Sequence, residues 1–222
     1  MACMVESLGL SLPGNAAIPA ADSRRKVLAQ MSGIRIVEMV KENLRLSDVL
    51  TREAFENAII TNAAIGGSTN FIIHLLAIAG RMGVPLDISD FDKLSSNVPF
   101  IANLQPSGKY FMEDLYYAGG LPAVMKEIDR FLRGSCITVN GKTIKENYST
   151  AECYNREIIA TADKPFNPLS GVAILKGNLC ENGAVMKPSA ASPHLMKHTG
   201  KAIVFEDIDD YKKRIDSPEL KM

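Results

Sequence analysis

The chain has 222 residues, 46% of them hydrophobic and 23% charged, enough apolar material for one large domain or two small ones with a real core. Lys plus Arg and Asp plus Glu each number 25, so the formal net charge is zero and there is no basic excess or stripe of the kind a nucleic-acid binder shows. No apolar run approaches the roughly 18 residues needed to cross a bilayer, and residues 1–10, with Glu6 inside the apolar stretch and no basic lead, do not read as a signal peptide.

In chain order, residues 1–8 form a short apolar helix that stops at Gly9, and Leu12-Pro13-Gly14-Asn15 is turn chemistry. Over 20–43, Val27, Leu28, Met31, Ile34, Val37 and Val40 recur at three- and four-residue steps, one apolar stripe of a long amphipathic helix. Thr51 is an N-cap candidate for a helix running through Phe55, Ala58, Ile59 and Asn62 to Ile65, with Glu53 suited to its first turn. Gly66-Gly67 breaks it. Ser68, Thr69 and Asn70 offer three successive capping residues to the next helix. That helix is apolar nearly all round (Phe71, Ile72, Ile73, Leu75, Leu76, Ile78) and so is expected to be buried, with Gly80 and Gly83 about its end.

Ser89 is expected to cap a short helix to Leu94, and 98–104 reads as a strand. Two further helices, 110–118 and 121–132, are divided by Gly119-Gly120. After Gly134 the pattern changes. Asn140-Gly141 between β-branched residues is a hairpin signal. Residues 145–167 are polar with Pro165 and read as a linker. Strands are expected at 171–176, 184–187 and 202–205, a short helix at 207–215, and a polar tail from Lys212 to the end. These elements make a mixed α/β chain with a boundary near residue 165, and the last segment is too small to be stable alone.

Chemistry-bearing residues are sparse. Gly66 to Asn70 would place free backbone N–H groups at a helix start, where a carboxylate or phosphate is favoured; the same pattern also describes a flexible turn with an ordinary N-cap. It is not a phosphate-binding P-loop, since no lysine follows at the required place. The loop 177–183 could turn Asn178, Asn182 or Glu181 toward a site, and it is also simple hairpin-turn chemistry. His194 and His198 would share one face of a helix, an incomplete metal-ligand set, and His74 reads as a core histidine. Glu113 and Asp114 are adjacent, so they point about 100° apart on a helix and do not pair as acid and base. Cys3, Cys136, Cys153 and Cys180 are far apart with no C-x-x-C, consistent with reduced thiols in a cytoplasmic protein, and no basic neighbour activates Cys180.

Several stretches taken together resemble the dihydroxy-acid/6-phosphogluconate dehydratase family: Glu6-Ser7-Leu8-Gly9 with Pro13-Gly14-Asn15; Ala54-Phe55-Glu56-Asn57-Ala58 with Gly66-Gly67-Ser68-Thr69-Asn70; Glu113-Asp114 with Ala118-Gly119-Gly120; and Leu175-Lys176-Gly177-Asn178-Leu179 with Ala184-Val185-Met186-Lys187. Asn103 to Gly108 and Thr138 to Ile144 are most similar to its pentonate (arabinonate, xylonate) branch. The resemblance implies a hydro-lyase that dehydrates 2,3-dihydroxy or sugar acids to 2-keto-3-deoxy acids with an iron–sulfur cluster and Mg2+. It also implies a helix-rich latter part of an α/β layered domain over 1–164, linker included, and the start of a β-barrel-like domain over 165–222.

The family's cluster cysteines, most of its magnesium ligands and its modified lysine fall before the matched stretches, and one further Glu and the serine base fall after them. The expectation is therefore an interior piece, with Met1 an internal methionine, no catalytic or metal-binding residue, no cofactor bound by this chain alone, and no activity by itself. Ser68, Thr69 and Asn70 are the candidate substrate-binding residues. A homo-oligomer is expected, with neither nucleic acid nor membrane as partner. The alternatives are a non-catalytic truncated remnant without function, a module kept for oligomerisation or binding, or an unrelated small-molecule binder using the Ser68 helix start.

Overall fold

A computed structural model describes residues 1–169 and 171–220. The last two residues of the polar tail, Lys221 and Met222, lie outside the described residues. Met1–Ala190 form one compact unit and Ala191–Met222 a second.

The first unit is built around α4 (Arg52–Ile65), which follows α1 (Ala2–Ser7), α2 (Ser23–Glu42) and α3 (Leu46–Val49). Thr51 caps α4, its Oγ1 accepting from Ala54 N at 3.4 Å, and Gly66 closes it in the left-handed region (φ 57°). All residues of α4 from Ala54 to Ile65 except Glu56 are buried, so it is the central helix. Its alanines let α1 approach closely, while Phe55, Ile59 and Ile60 fill the space between neighbours. A fully buried side chain of this size contributes about 1.5–3 kcal/mol of transfer free energy.

The helix expected to be enclosed, α5 (Phe71–Met82), is buried on one face only, through Phe71, Ile72, Leu75 and Ala79; Ile73 is 70% exposed and His74 is exposed rather than in the core. α6 (Ile88–Ser95) starts at Asp87, not Ser89: the Asp87 carboxylate accepts from Ser89 N at 2.8 Å. A carboxylate two residues earlier outcompetes the hydroxyl because it complements the helix dipole as well as the N–H. α7 (Met112–Tyr117) and α8 (Gly120–Glu127) follow, divided at Gly119, and a 3-10 turn at Asp129–Phe131 completes the stretch.

Residues 98–104 are extended but make isolated bridges rather than a strand: Phe100 with Asn167, Ala102 with Ile159, Leu104 with Tyr110. The Asn140-Gly141 turn is present, with Gly141 at φ 81°, but only one bridge, Ile137 with Thr143, flanks it before α9 (Ile144–Tyr148) begins. Thr143 is the reason. It caps α9 in a reciprocal box with Glu146, so the returning arm turns into a helix.

The segment read as a linker is part of the core. Tyr148, Ile158, Ile159 and Ala160 are buried, and Ala160 N donates to Ile101 O at 2.9 Å. Its few apolar residues sit where the core needs them, a fact its average polarity conceals.

The sheet is one antiparallel hairpin, β1 (Ala173–Gly177) and β2 (Cys180–Met186), in register Ala173 to Met186 and Ile174 to Val185, with Asn178-Leu179 as its two-residue turn. Residues 180–183, expected in the loop, belong to β2. The hairpin rests on α6, where Ile174 N meets Asp92 Oδ1 at 3.4 Å. In the second unit, residues 202–205 form no strand, and α10 (Ile208–Arg214) is capped by Asp207, which accepts from Asp209 N and Asp210 N. The architecture is thus mixed α/β and helix-rich.

Helix α2 has the expected length, but of its residues only Met39 is buried. Val27, Met31, Ile34, Ile36, Val37 and Val40 are between 51% and 76% exposed. An apolar face of this extent favours association. The chain is expected to self-associate in sedimentation velocity at micromolar concentration, and Met31→Glu combined with Ile34→Lys should return it to the monomer's mass. An unchanged oligomer would place the association elsewhere.

Candidate functional site

The break between α4 and α5 opens onto a cavity of about 580 Å³. The start of α1 (Met1 to Met4), the α4–α5 connection (Asn62, Ile65 to Thr69), the loop at Leu104 to Pro106 and Lys187 just past β2 build most of it, with Ala16 and Met112 completing the lining. Each part is held locally. Gly67 N donates to Asn62 O at 2.9 Å, which turns the chain sharply out of α4. The loop is tied by Gln105 N to Tyr110 O at 2.9 Å and Gly108 N to Leu104 O at 2.7 Å. Asn103 reinforces it, its Oδ1 accepting from Lys109 N at 3.0 Å. Ser189 and Ser107 share a hydroxyl hydrogen bond of 3.1 Å, which holds the chain after Lys187 against that loop.

Ser68 and Thr69 line the cavity, whereas Asn70 is exposed and is not among the lining residues. None of the three caps α5 as the sequence pattern suggested. Asn70 is already helical (φ −59°, ψ −23°), its side chain makes no capping bond, and Ser68 Oγ accepts only from Asn70 N, at 3.3 Å. The first N–H groups of α5 turn back on Ser68 O and Thr69 O at 3.3 Å. Among the described residues, nothing bonds the backbone N–H groups of Ser68 and Thr69.

Asn62 and Lys187, which the sequence pattern did not single out, also line the cavity. Asn62 is 1% exposed, lines the cavity, and its Nδ2 has no hydrogen-bond partner. A polar residue on a helix otherwise made of Ala, Ile and Phe is the signal that could have flagged it. Lys187 is half-buried, and burial alone pushes its ammonium below the ordinary lysine range. Its signal was a charge closing the apolar run Ala184-Val185-Met186 directly before Pro188. Cys3 also lines the cavity; burial first, then the nearby Glu6 charge, pushes its thiol up to about 11, so it is a protonated, unreactive group.

The remaining candidates are not brought together. His194 lies on a 3-10 turn (Pro193–Leu195) and His198 beyond it, so no helix aligns them. Cys180 is exposed on β2. Asp114 is engaged locally, accepting from Phe111 N at 2.7 Å. Among the described residues no three His, Cys, Asp or Glu side chains converge as a metal site, and Cys3, Cys136, Cys153 and Cys180 occupy separate parts of the chain. This donor set does not fit an iron–sulfur cluster, which needs several thiolates together, nor a magnesium ion, which needs grouped oxygens. No helix is long and apolar enough to cross a membrane among the described residues.

Comparison with known proteins agrees with the motifs. The family model described as dihydroxy-acid/6-phosphogluconate dehydratase N-terminal matches residues 1–147, and its C-terminal counterpart matches 157–222. The chain is 56% identical over 222 residues to an L-arabonate dehydratase of Azospirillum brasilense, covering 99% of this chain and 38% of that protein. It is 54% identical over 217 residues to an L-arabinonate dehydratase of Rhizobium leguminosarum bv. trifolii, covering 97% and 38%. It is 44% identical over 211 residues to a dihydroxy-acid dehydratase of Acetivibrio thermocellus, covering 94% and 38%. The chain thus spans about 38% of the length of these curated relatives. Two consecutive domain matches, in the order and over the stretches where the motifs lie, place this chain in the dihydroxy-acid/6-phosphogluconate dehydratase family.

Proposed function

We propose that the complete protein is a hydro-lyase removing water from a 2,3-dihydroxy sugar acid to give a 2-keto-3-deoxy acid, and that these residues form one wall of its substrate cavity. The single observation that carries this is the cavity at the α4–α5 break, where Ser68 and Thr69 of the family motif meet Lys187 of the second matched region. A polyhydroxylated acid needs hydrogen-bonding groups along its hydroxyls and a positive group at its acid end. The Ser68 and Thr69 hydroxyls and free backbone N–H groups can orient the former. The names of two relatives at 54% and 56% identity favour a five-carbon sugar acid over a branched dihydroxy acid.

Proton abstraction and hydroxyl departure are assigned to residues other than those described, because no titratable pair in this cavity is placed for them. The iron–sulfur cluster and Mg2+ implied by the family resemblance are likewise assigned to other residues. The two matched regions are read as two domains divided between residues 147 and 157, upstream of the residue 165 boundary that composition suggests. The complete protein is read as a cytoplasmic homo-oligomer, a reading supported by the free cysteines and the apolar face of α2.

The test uses a full-length relative, the L-arabinonate dehydratase of R. leguminosarum. Replacing by alanine the residues equivalent to Ser68, Thr69 and Asn70 is expected to lower kcat/KM for L-arabinonate at least tenfold, with most of the loss from the first two. Unchanged kcat/KM in a folded triple variant would overturn the reading.

A further inference from the structure

The chain contains two Asn-Gly pairs, Asn140-Gly141 and Asn182-Gly183, and neither lines the cavity at the α4–α5 break. Asparagine before glycine is open to self-modification, because glycine puts no Cβ between its own backbone nitrogen and the side-chain amide carbon of the residue before it. The surrounding fold decides whether that nitrogen reaches the carbon, and it treats the two pairs in opposite ways.

Asn140 is locked. Its Oδ1 accepts from Thr138 Oγ1 at 2.7 Å and from Lys142 N at 3.0 Å, and its Nδ2 donates to Asn147 Oδ1 at 2.7 Å. Gly141 N is itself engaged, donating to Thr138 O at 2.9 Å. Attack by Gly141 N on the Asn140 amide would break this network. Asn182 is exposed, and its side chain has no hydrogen bond among the described residues. It lies where the pairing of β1 with β2 is irregular. Gly177 pairs with Cys180 and Leu175 with Ala184, so Glu181, Asn182 and Gly183 together face Lys176. The fold also fixes glycine at 183: its φ is 105°, and a Cβ there would lie 3.3 Å from Ile88 Cδ1. The bulge therefore keeps an unhindered nitrogen beside a free amide. A two-stranded hairpin is marginal by itself, and its local opening gives that nitrogen room to move.

We propose that Asn182 is a site of spontaneous conversion to aspartate and isoaspartate, and that the conversion loosens the β1–β2 hairpin. Gly183 N gives up its proton and bonds to Asn182 Cγ while the Cγ–Nδ2 bond breaks, and the amide nitrogen leaves as ammonia with that proton. Water then opens the cyclic imide. Breaking the new Cγ–N bond gives aspartate; breaking the original peptide C–N bond gives isoaspartate, with an extra carbon in the main chain of β2. Water is the only other reactant. The extra carbon and the new charge fall directly before Ala184 and Val185, whose pairs with Leu175 and Ile174 set the hairpin register. Ile174 and Val185 also pack against the core, so a disturbed register weakens that contact.

The chain is incubated in mildly alkaline buffer and digested, and the peptides carrying Asn182 and Asn140 are followed by mass spectrometry, with isoaspartate read separately by enzymatic methylation. In the folded chain Asn182 is expected to convert at least tenfold faster than Asn140. In urea, where neither local structure survives, the two rates should come together. Asn182→Ser should abolish the fast conversion and leave the Asn140 rate unchanged. In the purified converted chain, the hairpin amides should exchange with solvent faster than in the native chain.

Equal rates in the folded chain, a faster Asn140, or a rate ratio that survives in urea would each overturn the assignment of Asn182. Hairpin amides that exchange no faster after conversion would overturn the loosening of β1 and β2.

Discussion

At pH 5, Glu6→Ala is expected to destabilise the chain by about 3 kcal/mol, read as a lower urea midpoint at unchanged slope. Glu6 is 4% exposed on α1, and its carboxylate accepts from Gly14 N and Ala16 N, both at 2.7 Å. It closes the turn that brings the chain back under α1. Alanine leaves the buried Ala16 N–H and the part-buried Gly14 N–H without acceptors, a buried one costing about 1–3 kcal/mol.

The pH dependence carries a sign of its own. Burial pushes the Glu6 carboxyl up to about 7, against an ordinary value of 4.5, with the two backbone hydrogen bonds opposing. The folded state therefore holds this proton more tightly than the unfolded state. The stabilisation from Glu6 is complete below about pH 4.5 and is lost as pH rises through about 7, on the order of 3 kcal/mol in all. Glu6→Gln carries no charge at either extreme, so the stability advantage of the native chain over Glu6→Gln should shrink between pH 5 and pH 8. A constant difference across that range would show that the two N–H donors hold the carboxylate ionised throughout.

Gly66→Ala should cost roughly 3 kcal/mol while Gly83→Ala costs roughly 1 kcal/mol, although both glycines end helices in the same way. Gly66 closes α4 at φ 57° and Gly83 closes α5 at φ 68°, so the left-handed penalty of a Cβ is shared. Their surroundings differ. A Cβ on Gly83 would meet nothing within 4 Å, whereas one on Gly66 would lie 2.5 Å from Phe100 Cε2, on a ring buried in the core. Behind it the backbone of Gly171 approaches so closely that a Cβ on Gly171 would sit 2.5 Å from Gly66 Cα. The ring cannot be accommodated by moving the connection the other way. Equal losses in the two variants, measured by urea denaturation, would mean that Phe100 repacks freely and that Gly66 is needed only for its dihedral angles.

What the sequence alone determined about this protein is local chemistry and membership. Thr51 as a cap, Gly66 and Gly83 as helix ends, the turn at Asn140-Gly141 and the Asp207 helix start each depend on a few neighbouring atoms, so they were legible. The ordered motifs from Glu6 to Lys187 identified the family for the same reason: order and spacing are one-dimensional facts.

Tertiary structure decided what depends on pairs of distant residues. Apolarity marked both α4 and α5 for burial, but only α4 has neighbours on nearly every side, and the stripe of α2 stays exposed. The stretch 145–167 is polar on average yet enters the core through Tyr148, Ile158 and Ile159, since burial follows individual side chains rather than mean composition. Ser68 and Thr69 were visible as a helix start, but their meeting with Asn62 and Lys187 was not. Asn62 reads as one polar residue in a helix and Lys187 as the end of a strand until the hairpin, the Ser189–Ser107 bond and the loop at Gln105 bring them to one cavity. An unpaired charge and an unpaired amide have meaning only once their surroundings are known, because the cost of leaving them unpaired arises from the water that folding removes.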